Sequence, residues 1–313
     1  MKRIEIKENN LNMVYEITDE NEIKLLHFSN LPFDENDINS CEGTDSFRPV
    51  EVLLSGLNRP GERHGTKYTY TAPGYRLKYK DMKDYRNETG RKLEILMEDK
   101  PTGLEVCSNI QFYDGISVIR SWTELKNNGE EDLGVEYVSS FALLGIDKEG
   151  LLSTDEKLEV LIARNAWQKE LIWNRFSMDQ LGMSISQPDK VRRSSQTISV
   201  GNTGNWSTKN YLPMGCLKNK ETDSILFWQI EQNGSWYWEI SDQDGHMYLQ
   251  LSGPTEHQSH WWKNLKPGDT FASVPVSVGS ACGDVEEAAG ELTKYRRAIR
   301  RKNEDNEKRS EER

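Results

Sequence analysis

The chain has 313 residues, 35% of them hydrophobic and 29% charged, with a formal net charge of -11. This length supports one large β domain or two smaller ones around a real core. The negative balance repels phosphate and argues against a nucleic-acid partner, and no run of ~18 apolar residues is present to span a membrane.

The N-terminus, MKRIEIKENN, alternates charged and apolar residues and holds no apolar signal core, so a cytoplasmic location is expected. Along the first third, Tyr75-Arg76-Leu77-Lys78-Tyr79 alternates apolar and cationic residues, the pattern of a half-exposed strand. Leu104, Val106, Ile110 and Phe112 lead into Asp114-Gly115, and Ile116, Val118 and Ile119 lead out. An Asp-Gly pair between two β-rich runs predicts a hairpin. Trp122 to Gly129 reads as another strand ending in a turn. Residues 155–181 carry a weaker β signal and contain Arg164-Asn-Ala-Trp167-Gln168, which reads as a functional loop or a short irregular element. Residues 224–252 hold three short apolar runs separated by Asn233-Gly234 and Asp244-Gly245, predicting an antiparallel meander.

The period changes at Asp284. Val285, Ala288, Ala289, Leu292, Tyr295 and Ile299 follow helical spacing. Asp284 with Glu287 forms an N-cap signature, and Arg296, Arg297, Arg300 and Arg301 suit the C-terminal end of the helix dipole. Residues 302–313 contain no apolar side chain and are expected to be disordered. The predicted architecture is all-β: a large antiparallel β-supersandwich of about 15 or more strands over residues 1–283, one amphipathic helix over 284–301 and a charged tail over 302–313. The apolar stripe of the helix is expected to await a partner beyond the domain.

Few residues offer chemistry. No phosphate-cradling, dinucleotide, nucleophile-elbow or zincin motif occurs in its required context, and no cofactor is expected. His257-Gln-Ser-His260 lacks a third ligand, so no metal site is expected. Cys41, Cys107, Cys216 and Cys282 stand far apart without a C-x-x-C pair and read as reduced, mostly buried thiols. Most of the 51 acids are solvated surface, and no catalytic carboxylate is assigned. Two loops are richer. Asp45 and Arg48 flank an aromatic in Gly43-Thr-Asp45-Ser-Phe-Arg48-Pro49, and such a pair can grip sugar hydroxyls or simply form a surface ion pair. The segment around Trp167 offers a cation, two amides and an indole to a neutral hydroxylated ligand, or packs as an ordinary turn. Trp228, Trp236, Tyr237, Trp238, Trp261 and Trp262 read mainly as core or interface.

Several stretches jointly resemble the N-terminal region of family 36 glycoside hydrolases, the melibiase-type α-galactosidases. They are Tyr211-Leu-Pro-Met-Gly, Phe227-Trp-Gln-Ile-Glu-Gln-Asn-Gly-Ser-Trp-Tyr-Trp-Glu-Ile240, Leu249-Gln-Leu-Ser-Gly-Pro-Thr-Glu256, Trp261-Trp-Lys-Asn-Leu-Lys-Pro-Gly268 and Gly290 to Arg301. The similarity runs from Phe47-Arg48-Pro49 to about Asn306.

The resemblance implies a β-supersandwich that precedes a (β/α)8 barrel, where the two catalytic aspartates of a retaining galactosidase sit. A barrel takes ~250 residues of alternating strand and helix, and no such period is present. The expected function is therefore that of a non-catalytic domain, inactive alone, serving assembly and the rim of the active site. Its expected partners are the catalytic barrel in cis or in trans, galactoside sugars, and further copies in a homo-oligomer. By the resemblance, Asp45, Arg48 and Trp167 are candidate galactoside contacts. A stand-alone galactoside-binding module is the alternative. A self-contained enzyme requires two acids converging in a cleft.

Overall fold

A computed structural model describes residues 1–37, 47–57, 67–183 and 196–301. Three strands open the chain, β1 (Lys2–Glu8), β2 (Leu11–Ile17) and β3 (Ile23–Ser29). After β4 (Val52–Leu54) and a single helical turn, α1 (Ala72–Arg76), come β5 (Lys78–Asn87), β6 (Gly90–Asp99), β7 (Leu104–Tyr113), β8 (Ile116–Asn127) and β9 (Leu133–Leu144). A second turn, α2 (Thr154–Lys157), precedes β10 (Leu158–Ala166), β11 (Lys169–Ser177), β12 (Thr197–Asn202), β13 (Tyr211–Asn219), β14 (Ser224–Ile230), β15 (Trp236–Gln243) and β16 (His246–Ser252). The chain ends with α3 (Glu256–Ser259), β17 (Lys263–Leu265), β18 (Thr270–Ala272), β19 (Val276–Cys282) and α4 (Val285–Ile299).

Two large antiparallel sheets face one another. One has ten strands in the order β11-β10-β13-β14-β19-β8-β7-β6-β5, with β18 added to β8. The other has six, in the order β12-β15-β16-β9-β17, with β4 added to β9. The three-stranded sheet β1-β2-β3 lies beside both, with β3 meeting β9 of one sheet and β19 of the other. Strand β6 shows the principle: Leu93, Ile95 and Met97 are fully buried between the sheets, while Lys92, Glu94 and Glu98 alternate outward. The predicted β-supersandwich is the observed fold, and the helix at its end begins and ends within two residues of the predicted span.

The sequence reading is corrected at three places within the β domain. Tyr75-Arg76-Leu77 is not the start of a strand. Pro73 at the head of α1 presets a helical φ, and the Tyr75 amide donates to the Thr71 carbonyl (2.8 Å), so the extended run begins only at Lys78. Residues 158–177 form a regular hairpin, β10–β11, whose tip is Trp167-Gln168. The three runs over 224–252 are strands, but not one meander: β14 lies in the ten-stranded sheet, whereas β15 and β16 pair in the six-stranded sheet. Asn233-Gly234 therefore sits in a crossover between layers. Trp228 and Trp238 then meet edge-to-face across the core, with ring centroids 5.2 Å apart. The Asp244-Gly245 turn has positive φ at both residues, as a tight hairpin turn requires.

Helix α4 is capped as its sequence predicts: Asp284 and Glu287 form a reciprocal capping box. Its apolar stripe does not await a partner. Ala288, Leu292 and Tyr295 are buried against the outer face of the ten-stranded sheet, on Val118, Ile225 and Phe227. Gly279 makes room for this layer, because a Cβ there would lie 2.3 Å from the Phe227 ring and 2.6 Å from the Ser117 carbonyl. The Tyr295 hydroxyl donates to Glu231, and the Arg296 Nε donates to Gln229 (2.9 Å). Glu231 also holds Arg120 at 2.6 Å.

Candidate functional site

The strand registers bring several loops to one end of the sandwich. Arg164 of β10 pairs with Tyr211 at the start of β13, while Ile230, the last residue of β14, pairs with Val276 at the start of β19. Asn202, the last residue of β12, pairs with Trp236 at the start of β15. The β10–β11 tip, the 203–210 loop and the 231–235 crossover therefore gather at this end. Helix α4 starts at the opposite end, beside Cys282, and runs back until Arg296 reaches Gln229 near the end of β14. The chain beyond α4 is thus delivered to this same end.

Hydrogen bonds from backbone and side chains stitch these loops together. Asn165 donates from its backbone to the Asn210 carbonyl (2.9 Å) and from Nδ2 to the Thr208 carbonyl (2.6 Å), and its Oδ1 accepts from the Leu171 amide (3.2 Å). Arg164 lies over the Tyr211 ring, 5.4 Å from its centroid. The Trp236 indole donates to the Ser207 carbonyl (2.7 Å), and the Gly204 amide donates to Ser235 (3.0 Å). On this framework Trp167 is 80% exposed and Trp206 is 55% exposed, beside part-exposed Leu171 and Ile172. Large apolar side chains held outward on stitched loops mark a surface for contact, since their exposure is otherwise unfavourable. Trp206 was not singled out from sequence; no local pattern distinguishes an outward indole from a core one.

Between β12, β15 and α3 at this end lies an open cleft of about 270 Å³, lined by Ser199, Asn202, Thr203, Tyr237, Gln258 and Ser259, among other uncharged residues. Behind it, the outer face of the six-stranded sheet carries a dense buried polar layer. The Glu239 carboxylate accepts from the Tyr68 amide (2.7 Å), the Tyr248 hydroxyl (2.8 Å) and the Tyr237 hydroxyl (2.9 Å). Tyr68 stacks on Tyr137 at 3.9 Å and donates to Gln258 (2.6 Å) at the cleft wall. Burial, reinforced by the Glu239 charge, pushes the phenols of Tyr137, Tyr237 and Tyr248 far above their usual range. Glu51 accepts from the Tyr70 and Thr71 amides (2.7 and 2.8 Å); burial raises its pKa against these bonds. Both acids are fully buried and committed to hydrogen bonds in the layer, so this geometry is that of a structural network and not of a carboxylate pair facing a sugar.

The sequence-predicted contacts are dispersed. Asp45 lies outside the described residues. Arg48 is buried at 4% exposure, paired with Glu22 at 3.1 Å and 5.6 Å over the Tyr75 ring; its Nε and Nη1 meet no acceptor among the described residues. Burial works against the Glu22 charge, but Lys78 and Arg48 together hold its pKa below the ordinary range. Trp167 stands at the loop-bearing end on β10–β11 and shares no partner with Arg48. His257 and His260 are exposed on and beside α3, and among the described residues no group of three metal-binding side chains occurs. Cys41 lies outside the described residues. Burial raises the Cys216 thiol far above its usual range and Cys107 to about 11, so both are unreactive thiols, while Cys282 is exposed. Among the described residues no helix is long and apolar enough to cross a membrane.

These layers define a large antiparallel β-sandwich closed on its outer face by one helix. The fold is shared with α-galactosidases of glycoside hydrolase family 36. The family 36 α-galactosidase AgaA of Geobacillus stearothermophilus aligns over 91% of this chain and 41% of its own, at 15% identity and a TM-score of 0.66. The α-galactosidase of Lactobacillus brevis aligns over 95% and 42%, at 13% identity and a TM-score of 0.69. The galactosidase domain of the α-galactosidase–sucrose kinase AgaSK aligns over 93% and 42%, at 16% identity and 0.66. The chain thus spans about two-fifths of the length of these structures. No family model and no curated protein sequence matches it.

Proposed function

We propose that this chain is the N-terminal, non-catalytic domain of an α-galactosidase-like glycoside hydrolase, inactive alone, whose loop-bearing end abuts a catalytic barrel. The observation that carries this reading is the path of α4. It crosses the outer sheet and returns the chain to the end where Trp167 and Trp206 stand exposed. A barrel attached after α4 meets those indoles directly, and Trp167 then lies at the rim of its active site. The parent reaction is retaining hydrolysis of terminal α-galactosides, and the complete protein is a cytoplasmic homo-oligomer. Arg48 is buried against Glu22, and Asp45 is a further galactoside contact at the rim.

Residues 1–313 are expected to release no 4-nitrophenol from 4-nitrophenyl α-galactoside above the buffer rate; sustained turnover removes the reading. In a chain carrying the barrel, Trp167→Ala is expected to raise KM or loosen assembly while leaving the melting temperature of the isolated domain unchanged. No effect on either in the longer chain counts against the proposed rim. A stand-alone sugar-binding module has one observation in its favour, the uncharged cleft beside α3.

A further inference from the structure

The cleft between β12, β15 and α3 carries chemistry that the accessory role does not use. Its volume of about 270 Å³ falls just below the range of ~300–1,000 Å³ typical of small-molecule pockets, which limits it to a ligand of monosaccharide size. Among the described residues, every one lining it is uncharged. A charged ligand entering it would lose hydration without gaining a counter-ion, whereas a neutral ligand rich in hydroxyls would meet hydroxyls and amides.

Two donors in the cleft wall are unspent. The Asn202 side-chain amide nitrogen is buried and has no hydrogen-bond partner among the described residues. A buried donor of this kind calls for an acceptor from water or ligand. Gln258 uses its side-chain oxygen to accept from Tyr68 (2.6 Å) and from Thr255, which leaves its side-chain nitrogen as a second donor. The wall is rigid. Tyr237 is fixed by Glu239 (2.9 Å), Gln258 by Tyr68, and Ser259 donates to the Thr255 carbonyl (2.7 Å). Opposite Tyr237, Gly201 lets the ring lie close against the backbone of β12; a Cβ there would stand 2.9 Å from the Trp236 carbonyl and 3.2 Å from the Tyr237 ring. Gln258 and Ser259 held in place beside the Tyr237 ring make a small preformed polar recess.

We propose that this cleft is a binding site for a neutral monosaccharide or a terminal sugar unit, with Asn202 and Gln258 donating to its hydroxyls and Tyr237 forming the wall. The described residues of this chain form the site by themselves, and its test is separate from any turnover assay.

The test is a titration of the 15N-labelled full chain with D-galactose, using D-galacturonate as the charged control, followed by amide NMR. With sugar up to ~50 mM, a millimolar Kd is saturated. Saturable shifts are expected in the Asn202 side-chain amide and in the backbone amides of Gly201, Thr203 and Gln258, with little response to galacturonate. Asn202→Asp keeps the shape and removes the donor, and is expected to weaken binding at least tenfold; Leu151→Ala, at a fully exposed residue outside the cleft lining, is expected to leave it unchanged. Should Asn202→Asp fail to fold, Asn202→Ala and the wild-type shift map decide. Absence of shifts, shifts centred away from the cleft, equal response to galacturonate, or unchanged affinity in the Asn202 variants would each overturn the site.

Discussion

Acidification should destabilise this domain through the fully buried imidazole of His27 on β3. The ring is fully buried, its Nε2 lies 2.8 Å from the Leu31 carbonyl, and Nδ1 has no partner among the described residues. The Leu31 carbonyl can only accept, so Nε2 carries the proton and the ring is neutral. Burial, with repulsion from Lys148, pushes its pKa down to about 3 from an ordinary value near 6.5. The folded-state pKa is depressed, so the unfolded chain binds the proton first as pH falls. Stability from this site is complete above pH ~6.5 and declines steadily below it until the folded ring itself titrates near 3.

At ~1.36 kcal/mol per pH unit, the loss between pH 7.5 and pH 5.0 is about 2 kcal/mol, or about 3 °C in Tm for a domain of this size. The assay is thermal unfolding of wild type and His27→Gln across that window. Glutamine retains a donor for Leu31 and cannot titrate, so the difference between the two proteins isolates His27. Glu51, whose raised pKa works in the opposite direction, contributes equally to both and cancels. The variant is expected to be less stable at pH 7.5, where it loses packing against Phe33, but to lose about 2 kcal/mol less on acidification. Parallel pH profiles for the two proteins would refute the reasoning.

Two further perturbations test the helix layer. Leu292→Ala removes a buried side chain from the α4 face and should cost about 2–4 kcal/mol in denaturant unfolding, with early loss of amide protection in α4; a cost under 1 kcal/mol would show that the helix is not docked. Gly279→Ala places a methyl against Phe227 and the Ser117 carbonyl, and should cost about 1–3 kcal/mol by overpacking, read as a lower midpoint with unchanged slope.

The elements legible in the sequence are those whose signals are local. Asp284 and Glu287 lie three residues apart and cap each other, so the start of α4 could be read directly. The β7–β8 hairpin follows from Asp114-Gly115 between two alternating runs. The turn at Pro73 was hidden because the alternation of Tyr75 to Tyr79 is compatible with a strand, while the competing helical bonds depend on Thr71 and a buried setting. The cleft was equally hidden. Its wall joins Tyr68 to Gln258, and its backing joins Tyr68 to Glu239, contacts spanning 190 and 171 residues. Of the two candidate contacts among the described residues, Trp167 is exposed and Arg48 is buried, and nothing in the five-residue motif of Trp167 distinguished it from Trp236, which is buried.

Sequence by itself determined the class of the protein: alternation with period two makes sheets, its change at Asp284 makes a helix, and the net charge of -11 sets the surface. Only the tertiary structure decided which sheet each strand joins, because alternation reports which side of a strand is buried but not what it is buried against. That is why β14 and β15, five residues apart, lie in opposite layers. It is also why the stripe on α4 is covered by its own domain: an amphipathic pattern requires a cover, and Val118 of β8 with Ile225 and Phe227 of β14 supplies it.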